Sequence, residues 1–286
     1  MPKSLAKRGP AAPGPAGRRR AALLSLCVVF NAFAGELTLD GALLQGGLVT
    51  GRTAPDARVS FDGRKVRVSD DGVFLLGFGR DAAEKSILRV EYGDGTVTER
   101  AIEVARREYD IQRVDGLPQR KVTPKPEDLE RIRKEAALVK AARARDDPRT
   151  DFMRGFQWPA IGRITGVYGS QRILNGEPRR PHFGVDVAGP VGAPVVAPAA
   201  GIVTLAQADL FFSGGTLIID HGHGLTSSFL HLSAILVKQG QRVRRGDLVA
   251  RIGATGRVSG AHLDWRMNLS GARLDPQLVV GEMSGN

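Results

Sequence analysis

Three Asp-Gly pairs, Asp62-Gly63, Asp71-Gly72 and Asp94-Gly95, cut residues 36 to 106 into short runs. Asp-Gly is a hairpin signal, because both residues tolerate the positive φ that tight turns need. The runs "ARVSFDG", "RKVRVS", "GVFLLGF", "SILRVEY" and "TVTERAIEV" are too short for bundle helices. Alternation is visible at Val66 and Val68, and at Val97, Ile102 and Val104 with a phase break between. A small antiparallel β-sandwich over residues 35–110 is predicted. It holds no histidine or cysteine and its acids are scattered, so it is expected to be dispensable for chemistry.

A polar connector with Pro118, Pro124 and Pro126 follows, and residues 111–151 form a linker. Within it "PEDLERIRKEAALVKAARARD" predicts a helix over about 126–146. Pro126 suits a first turn, and Glu127 and Asp128 complement the positive end of the helix. Leu129, Ile132, Ala136 and Val139 fall near one stripe, as expected of a helix docking one domain on another. From 152 to 286 glycine punctuates further strand candidates, "RITGVYG", "TLIIDHG", "LTSSFLHLS" and "DLVARIG" among them. The fold class is therefore mainly β. All five histidines, His182, His221, His223, His231 and His262, lie in this second β region.

Residues 1–34 carry six basic residues and no acid, then the apolar run "AALLSLCVVFNAFA". About 14 residues are too few to span a bilayer comfortably, and Ala32-Phe33-Ala34 is a small-x-small cleavage signal. Residues 1–34 are thus expected to be a signal peptide, and the protein to be exported to the periplasm or cell envelope with no transmembrane segment after cleavage. Triple arginine Arg18–Arg20 leaves a twin-arginine route open beside the general one. Cleavage after Ala34 would lower the formal net charge from +11 to +5 and remove Cys27, the single cysteine. No dense basic cluster with interleaved aromatics would remain, so nucleic acid is not an expected partner.

The chemistry-bearing stretches are "RPHFGVDVAGP" and "SGAHLDWRMN". His182 and Asp186 would stand roughly 13 Å apart in an extended strand. Sharing one metal therefore requires a bend, which Gly184 permits; a polar turn is the alternative. His262 and Asp264 share one face of a strand. His231 supplies another imidazole, suited to ligation or proton transfer near neutral pH. His221 and His223, in "IDHGHG", sit between glycines and read as a tight turn. Tyr168 and Arg266 are open to substrate contact, but such residues more often pack or face solvent.

With "RPHFGVDVAGPVGAPVVAPAAGIV", "IIDHGHGLTSSFLHLS", "VKQGQRVRRGDLVARIGATGRVSGAHLDW" and "LDPQLVV" in order, residues 158 to 280 resemble the lysostaphin-type (LytM) zinc metallopeptidases. The resemblance implies an antiparallel β-sandwich with lipoyl-like (duplicated hybrid motif) elements. It implies one Zn²⁺ ion with His182 and Asp186 as ligands, and His231 and His262 as catalytic residues. The substrate it implies is the peptide cross-links of bacterial peptidoglycan. Asp264 stands where the family has its third ligand, a histidine; carboxylate oxygen also binds zinc, so His182, Asp186 and Asp264 form the expected metal set. Two carboxylates would neutralise the ion's charge and leave its bound water less acidic than in the usual site. A non-catalytic LytM-like module that binds the wall or activates a separate hydrolase is the rival. A lipoyl carrier, suggested by "VRRGDLVARIG", fails for want of a lysine at the hairpin tip.

Overall fold

The computed structural model describes residues 37–283. The expected signal peptide and Cys27 lie outside the described residues. The described chain is mainly β.

The N-terminal region is built from two small sheets. One holds Thr38–Gly41, Leu48–Arg52 and Val73–Gly77; the other runs Arg64–Val66, Arg58–Phe61, Lys85–Glu91, Val97–Glu103. In Lys85–Glu91 burial alternates, with Ser86, Leu88 and Val90 inside, as a strand with one wet face requires. Asp62 and Gly63 both have positive φ, 47° and 74°, and close a two-residue hairpin between Arg58–Phe61 and Arg64–Val66. Gly95 turns the chain between Lys85–Glu91 and Val97–Glu103. Asp71-Gly72 does something else: Arg64–Val66 and the following Val73–Gly77 belong to different sheets. That turn hands the chain from one sheet to the other and makes no hairpin.

Val73–Gly77 explains why "VFLL" is apolar at every position. Phe74 and Leu76 point into the N-terminal core beside Val49, Leu88 and Val90. Val73 and Leu75 point the opposite way, into the core of the C-terminal region with Leu225, Leu269 and Leu274. The strand is a shared wall. Residues 35–110, set apart by sequence as a region without chemistry, contribute no donor to the histidine cluster but do fill part of the core behind it.

The connector is also integrated. Ile111–Val114 pairs in parallel with Gln171–Leu174. A 3₁₀ turn, Pro126–Asp128, leads into the helix Leu129–Arg143, shorter at both ends than expected. Its contact edge is narrow: Ala142 is buried with Leu205, Leu210 and Ile218, and Val139 packs beside them. Leu129, placed on the docking stripe by sequence, is 45% exposed.

The C-terminal region has a long sheet in the order Arg242–Val243, Gly201–Leu210, Gly214–Asp220, Leu225–Leu232, His262–Leu269, Val185–Ala188, Ile164–Gly166. Ala272–Leu274 pairs with His262–Leu269 outside that path. A smaller sheet of Pro194–Val196, Leu248–Arg251 and Ala234–Ile235 packs its apolar residues, Val195, Val249 and Ala250, into the same core as Leu217, Ile219, Phe229 and Trp265. Trp265 is fully buried and meets Trp158 edge to face, with centroids 5.8 Å apart.

Arg149, just past the connector helix, ties the linker to this sheet. It donates to Asp147 at 2.9 Å and also to Asp151 and Asp220. Asp220 has no exposed surface, and burial pushes its carboxyl up while Arg149 pulls it down. Removing one partner of a buried ion pair costs about 3–5 kcal/mol, because a charge is left uncompensated. Arg149→Met should therefore lower stability by about that amount in chemical denaturation at pH 7. Asp220 would then titrate still higher in the folded state, and a raised carboxyl loses its stabilising protonation as pH rises. The deficit should shrink when the same measurement is made near pH 5.

Candidate active site

Strand register brings two carboxylates face to face. Val185–Ala188 runs antiparallel to His262–Leu269, with Asp186 directly opposite Asp264. Side chains alternate, so Val185, Val187, Leu263 and Trp265 enter the core while Asp186 and Asp264 share the other face. Gly184 lets the chain bend ahead of this strand: a Cβ there would lie 2.5 Å from the carbonyl oxygen of Trp265. The bend places Nε2 of His182 3.0 Å from Oδ1 of Asp186.

Two further imidazoles close the site. His262 begins its strand, and its Nε2 lies 3.8 Å from Asp186 Oδ1. His231 follows Leu230, which sits opposite Asp264. Strict alternation would turn His231 away from the site, but its φ of 66° breaks the phase. Its Nε2 comes within 4.0 Å of Asp264 Oδ2, and its ring centroid is 4.9 Å from that of His262. Positive φ is uncommon for a residue with a Cβ, and such strain gathers at functional sites. Both rings have their tautomer set by carbonyls, which can only accept. Nδ1–H of His231 donates to Thr255 at 2.8 Å, and Nδ1–H of His262 donates to Gly260 at 2.9 Å. Each leaves Nε2 bare and turned toward the carboxylates.

His182, Asp186 and Asp264 each offer a donor atom within 4.8 Å of the others, and all three are buried. Both ring nitrogens of His182, and Oδ1 of Asp186, are buried without a hydrogen-bond partner. Two ligands about 2.0–2.2 Å from one tetrahedral zinc ion lie roughly 3.3 Å apart. The 3.0 Å spacing of these donors is compatible with a shared metal and also with a direct imidazole–carboxylate contact. Burial works to raise Asp186, but His182 and Arg172 outweigh it and hold the carboxyl down at about 2. Asp264 is likewise raised by burial and held well below the usual carboxylate range by Arg266 and His182.

Those arginines were not in the expected set. Arg266 forks Asp264, Nε to Oδ1 at 2.9 Å and a terminal nitrogen to Oδ2 at 2.5 Å. Arg172 donates to Asp186 Oδ2 at 2.5 Å. Each carboxylate thus already faces one guanidinium. The expectation that two carboxylates would neutralise a zinc ion and make its water less acidic fails on this count: the arginines have taken up that negative charge. A carboxylate has about four lone-pair sites, so Asp264 can accept the fork and still ligate. Arg266 lies two residues past Asp264 on one strand and so shares its face; that spacing was the signal available in sequence. Arg172 carries no such signal.

The remaining singled-out residues lie elsewhere. His221 bonds the carbonyl of Ala200 at 2.7 Å and the Ser227 hydroxyl at 2.9 Å, and is fully buried. His223 has a φ of 50° and meets Phe152 edge to face. Tyr168 is 1% exposed and donates to the carbonyl of Arg273 at 2.7 Å, which makes it a packing residue.

Residues 180–276 match the model of Peptidase family M23. A crystal structure of a peptidase M23 from Pseudomonas aeruginosa aligns over 84% of this chain and 96% of its own, at 32% identity and a TM-score of 0.67. The chain belongs to peptidase family M23. Among M23-region relatives, the peptidoglycan DD-endopeptidase ShyA of Vibrio cholerae is 41% identical over 91 residues, 32% of this chain and 21% of that one. The lipoprotein NlpD/LppB homolog of Pseudomonas aeruginosa is 34% identical over 122 residues, 43% of this chain and 38% of that one. The matches therefore span only about a fifth to two fifths of these relatives.

Burial leaves a pH signature on this M23 domain. It pushes both His221 and His231 down to about 4. In the unfolded chain they would titrate near 6.5. Between those values the unfolded state binds protons that the folded state refuses, so stability falls as pH falls through that window. Each histidine should cost roughly 1–2 kcal/mol by pH 5. Melting temperature is expected to drop between pH 7 and pH 5, and His221→Gln should flatten the drop. An unchanged slope in that variant would show that His221 does not contribute.

Proposed function

We propose that this M23 chain is an exported, zinc-dependent endopeptidase that hydrolyses peptide cross-links of bacterial peptidoglycan. The carrying observation is the convergence of His182 and Asp186 donors, buried, unbonded and 3.0 Å apart, between two imidazoles with bare Nε2 atoms. The name of the Vibrio cholerae relative supports the substrate class. Among the described residues no helix is long and apolar enough to cross a membrane; export rests on the reading of residues 1–34.

His182, Asp186 and Asp264 would hold one zinc ion, which when bound supplies Lewis acidity and acidifies a water at neutral pH. The protein's own part is orientation and proton transfer. Nε2 of His231, with its Nδ1–H fixed on Thr255, is placed to take a proton from the attacking water. Burial holds this ring neutral, with Nε2 free to accept, and lowers its basicity. The proton that His231 takes up can then pass to the leaving amine, while bare Nε2 of His262, with its Nδ1–H fixed on Gly260, would accept a hydrogen bond from the attacking water and orient it. Purified full chain incubated with peptidoglycan should release new peptide fragments. His231→Ala and His262→Ala should each lower that activity by about 10² or more while leaving bound metal near stoichiometric. Metal loss in His262→Ala would make His262 itself a ligand.

Arg266 changes what substitution at Asp264 should do. Asp264→His alone would strand the Arg266 guanidinium beside a dication, and should weaken zinc binding. Asp264→His with Arg266→Gly removes the repulsion and should bind zinc more tightly than wild type. Zinc content after dialysis against graded chelator measures both. If Asp264→His alone binds more tightly, Arg266 does not act on the site.

The fork that Arg266 places on both oxygens of Asp264 is the one observation that favours the rival reading, a non-catalytic module. Wild type that holds no metal and releases no fragments would establish that reading.

A further inference from the structure

A cavity of about 760 Å³ opens beside the site, between the connector and the long sheet. A second of about 260 Å³ adjoins it and reaches His231 and Asp264; Val139, Phe212, Arg172, Arg257 and Arg266 line both. The walls are strongly cationic, and the carboxylate lining the larger cavity, Glu135, is already paired with Arg131. Arg172 and Arg266 are matched by Asp186 and Asp264. Arg143, Arg257 and Arg273 are not: among the described residues none has a carboxylate within salt-bridge distance.

What these three do bind leaves donors to spare. Arg143 gives one N–H to the Ser228 hydroxyl at 3.0 Å, and its Nε is buried without a partner. Arg257 makes only a long contact, 3.4 Å, to the carbonyl of Lys121, and stacks over Phe212 at 4.8 Å. Arg273 donates to the Asn268 side chain at 2.5 Å. A guanidinium carries five N–H donors in a fork that matches a carboxylate. Burial first, and then repulsion from neighbouring arginines, lowers these groups, Arg143 to about 9 and Arg257 and Arg273 to about 10. Cations crowded into a half-buried space without counter-charges need an anion to complete them.

We infer that these two adjoining cavities form a carboxylate-binding subsite, in which Arg143, Arg257 and Arg273 hold the free carboxylates of an acidic peptide next to the hydrolytic centre. The larger cavity is of the size that takes a short peptide. Phe183, Phe212, Leu174 and Leu210 supply apolar wall between the guanidiniums. A mixed wall suits a peptide with small aliphatic side chains and spaced carboxylates, and suits a polyphosphate poorly. The inference takes from the proposed function only that the occupant is a peptide.

The test is binding without turnover. Fluorescein-labelled Ala-Glu-Ala-Ala with free carboxylates, and its neutral counterpart Ala-Gln-Ala-Ala amide, are titrated with the full chain in chelator, read by anisotropy. The acidic peptide should bind about tenfold more tightly, with the difference shrinking at high salt. Arg257→Gln and Arg273→Gln should each remove most of that preference, and Arg273→Lys should restore part of it. Equal affinity for the two peptides in wild type overturns the inference, whatever the variants do. So does displacement of the labelled peptide by inorganic phosphate at concentrations where acetate has no effect. If a Gln variant fails to fold by circular dichroism, the wild-type peptide comparison still decides. Preference for the acidic peptide without any cutting of peptidoglycan keeps the subsite and overturns the peptidase reading. Cutting with no carboxylate preference does the reverse.

Discussion

Everything at this site follows from one register. Asp186 and Asp264 sit directly across two antiparallel strands. Like charges placed so oppose each other, and neither can reach bulk water. Something positive has to stand between or beside them. The structure supplies two guanidiniums from the side, Arg172 and Arg266, and turns one imidazole and one bare carboxylate oxygen toward the gap. Asp186 is thus half satisfied by protein, with Oδ1 left for something else, while Arg266 engages both oxygens of Asp264. That division separates a site that can still hold a cation from a closed ion-pair network, in which every lone pair would already be spent.

Much of this was legible in sequence. The Asp62-Gly63 hairpin, the strands with period-two burial and the run of histidines in one β region depend on local rules, and local rules survive folding. His182, Asp186, His231, His262 and Asp264 could be singled out because spaced motifs carry them. What escaped depends on phase and on long-range pairing. His231 should point away from the site by strand alternation, and only its positive φ returns it. Arg172 meets Asp186 across fourteen residues and a bend, with no pattern to mark it. Arg266 was noticed, but charge bookkeeping that counted only ligands left it out.

The turn at Asp71-Gly72 shows a second kind of limit. Its composition is that of the Asp62-Gly63 hairpin, yet its flanking strands go to different sheets. A dipeptide specifies local dihedral angles; which strand lies next to which is settled by where Val73, Phe74, Leu75 and Leu76 can all be buried at once. With apolar residues on both faces, Val73–Gly77 can be satisfied only between two cores.

That shared strand bears on how such a chain could have been assembled. A domain joined through a flexible tether can be gained, lost or exchanged by recombination with little penalty to either side. Here the N-terminal sandwich lends Val73 and Leu75 to its neighbour, and Gly77 lies close against Leu269 and Leu274, where a Cβ would meet both at 3.1 Å. A recombination event that replaced the sandwich would strip the neighbouring core of two aliphatic side chains and uncover Leu269 and Leu274. The two regions are therefore constrained to be inherited together, as one unit of heredity with two folds inside it.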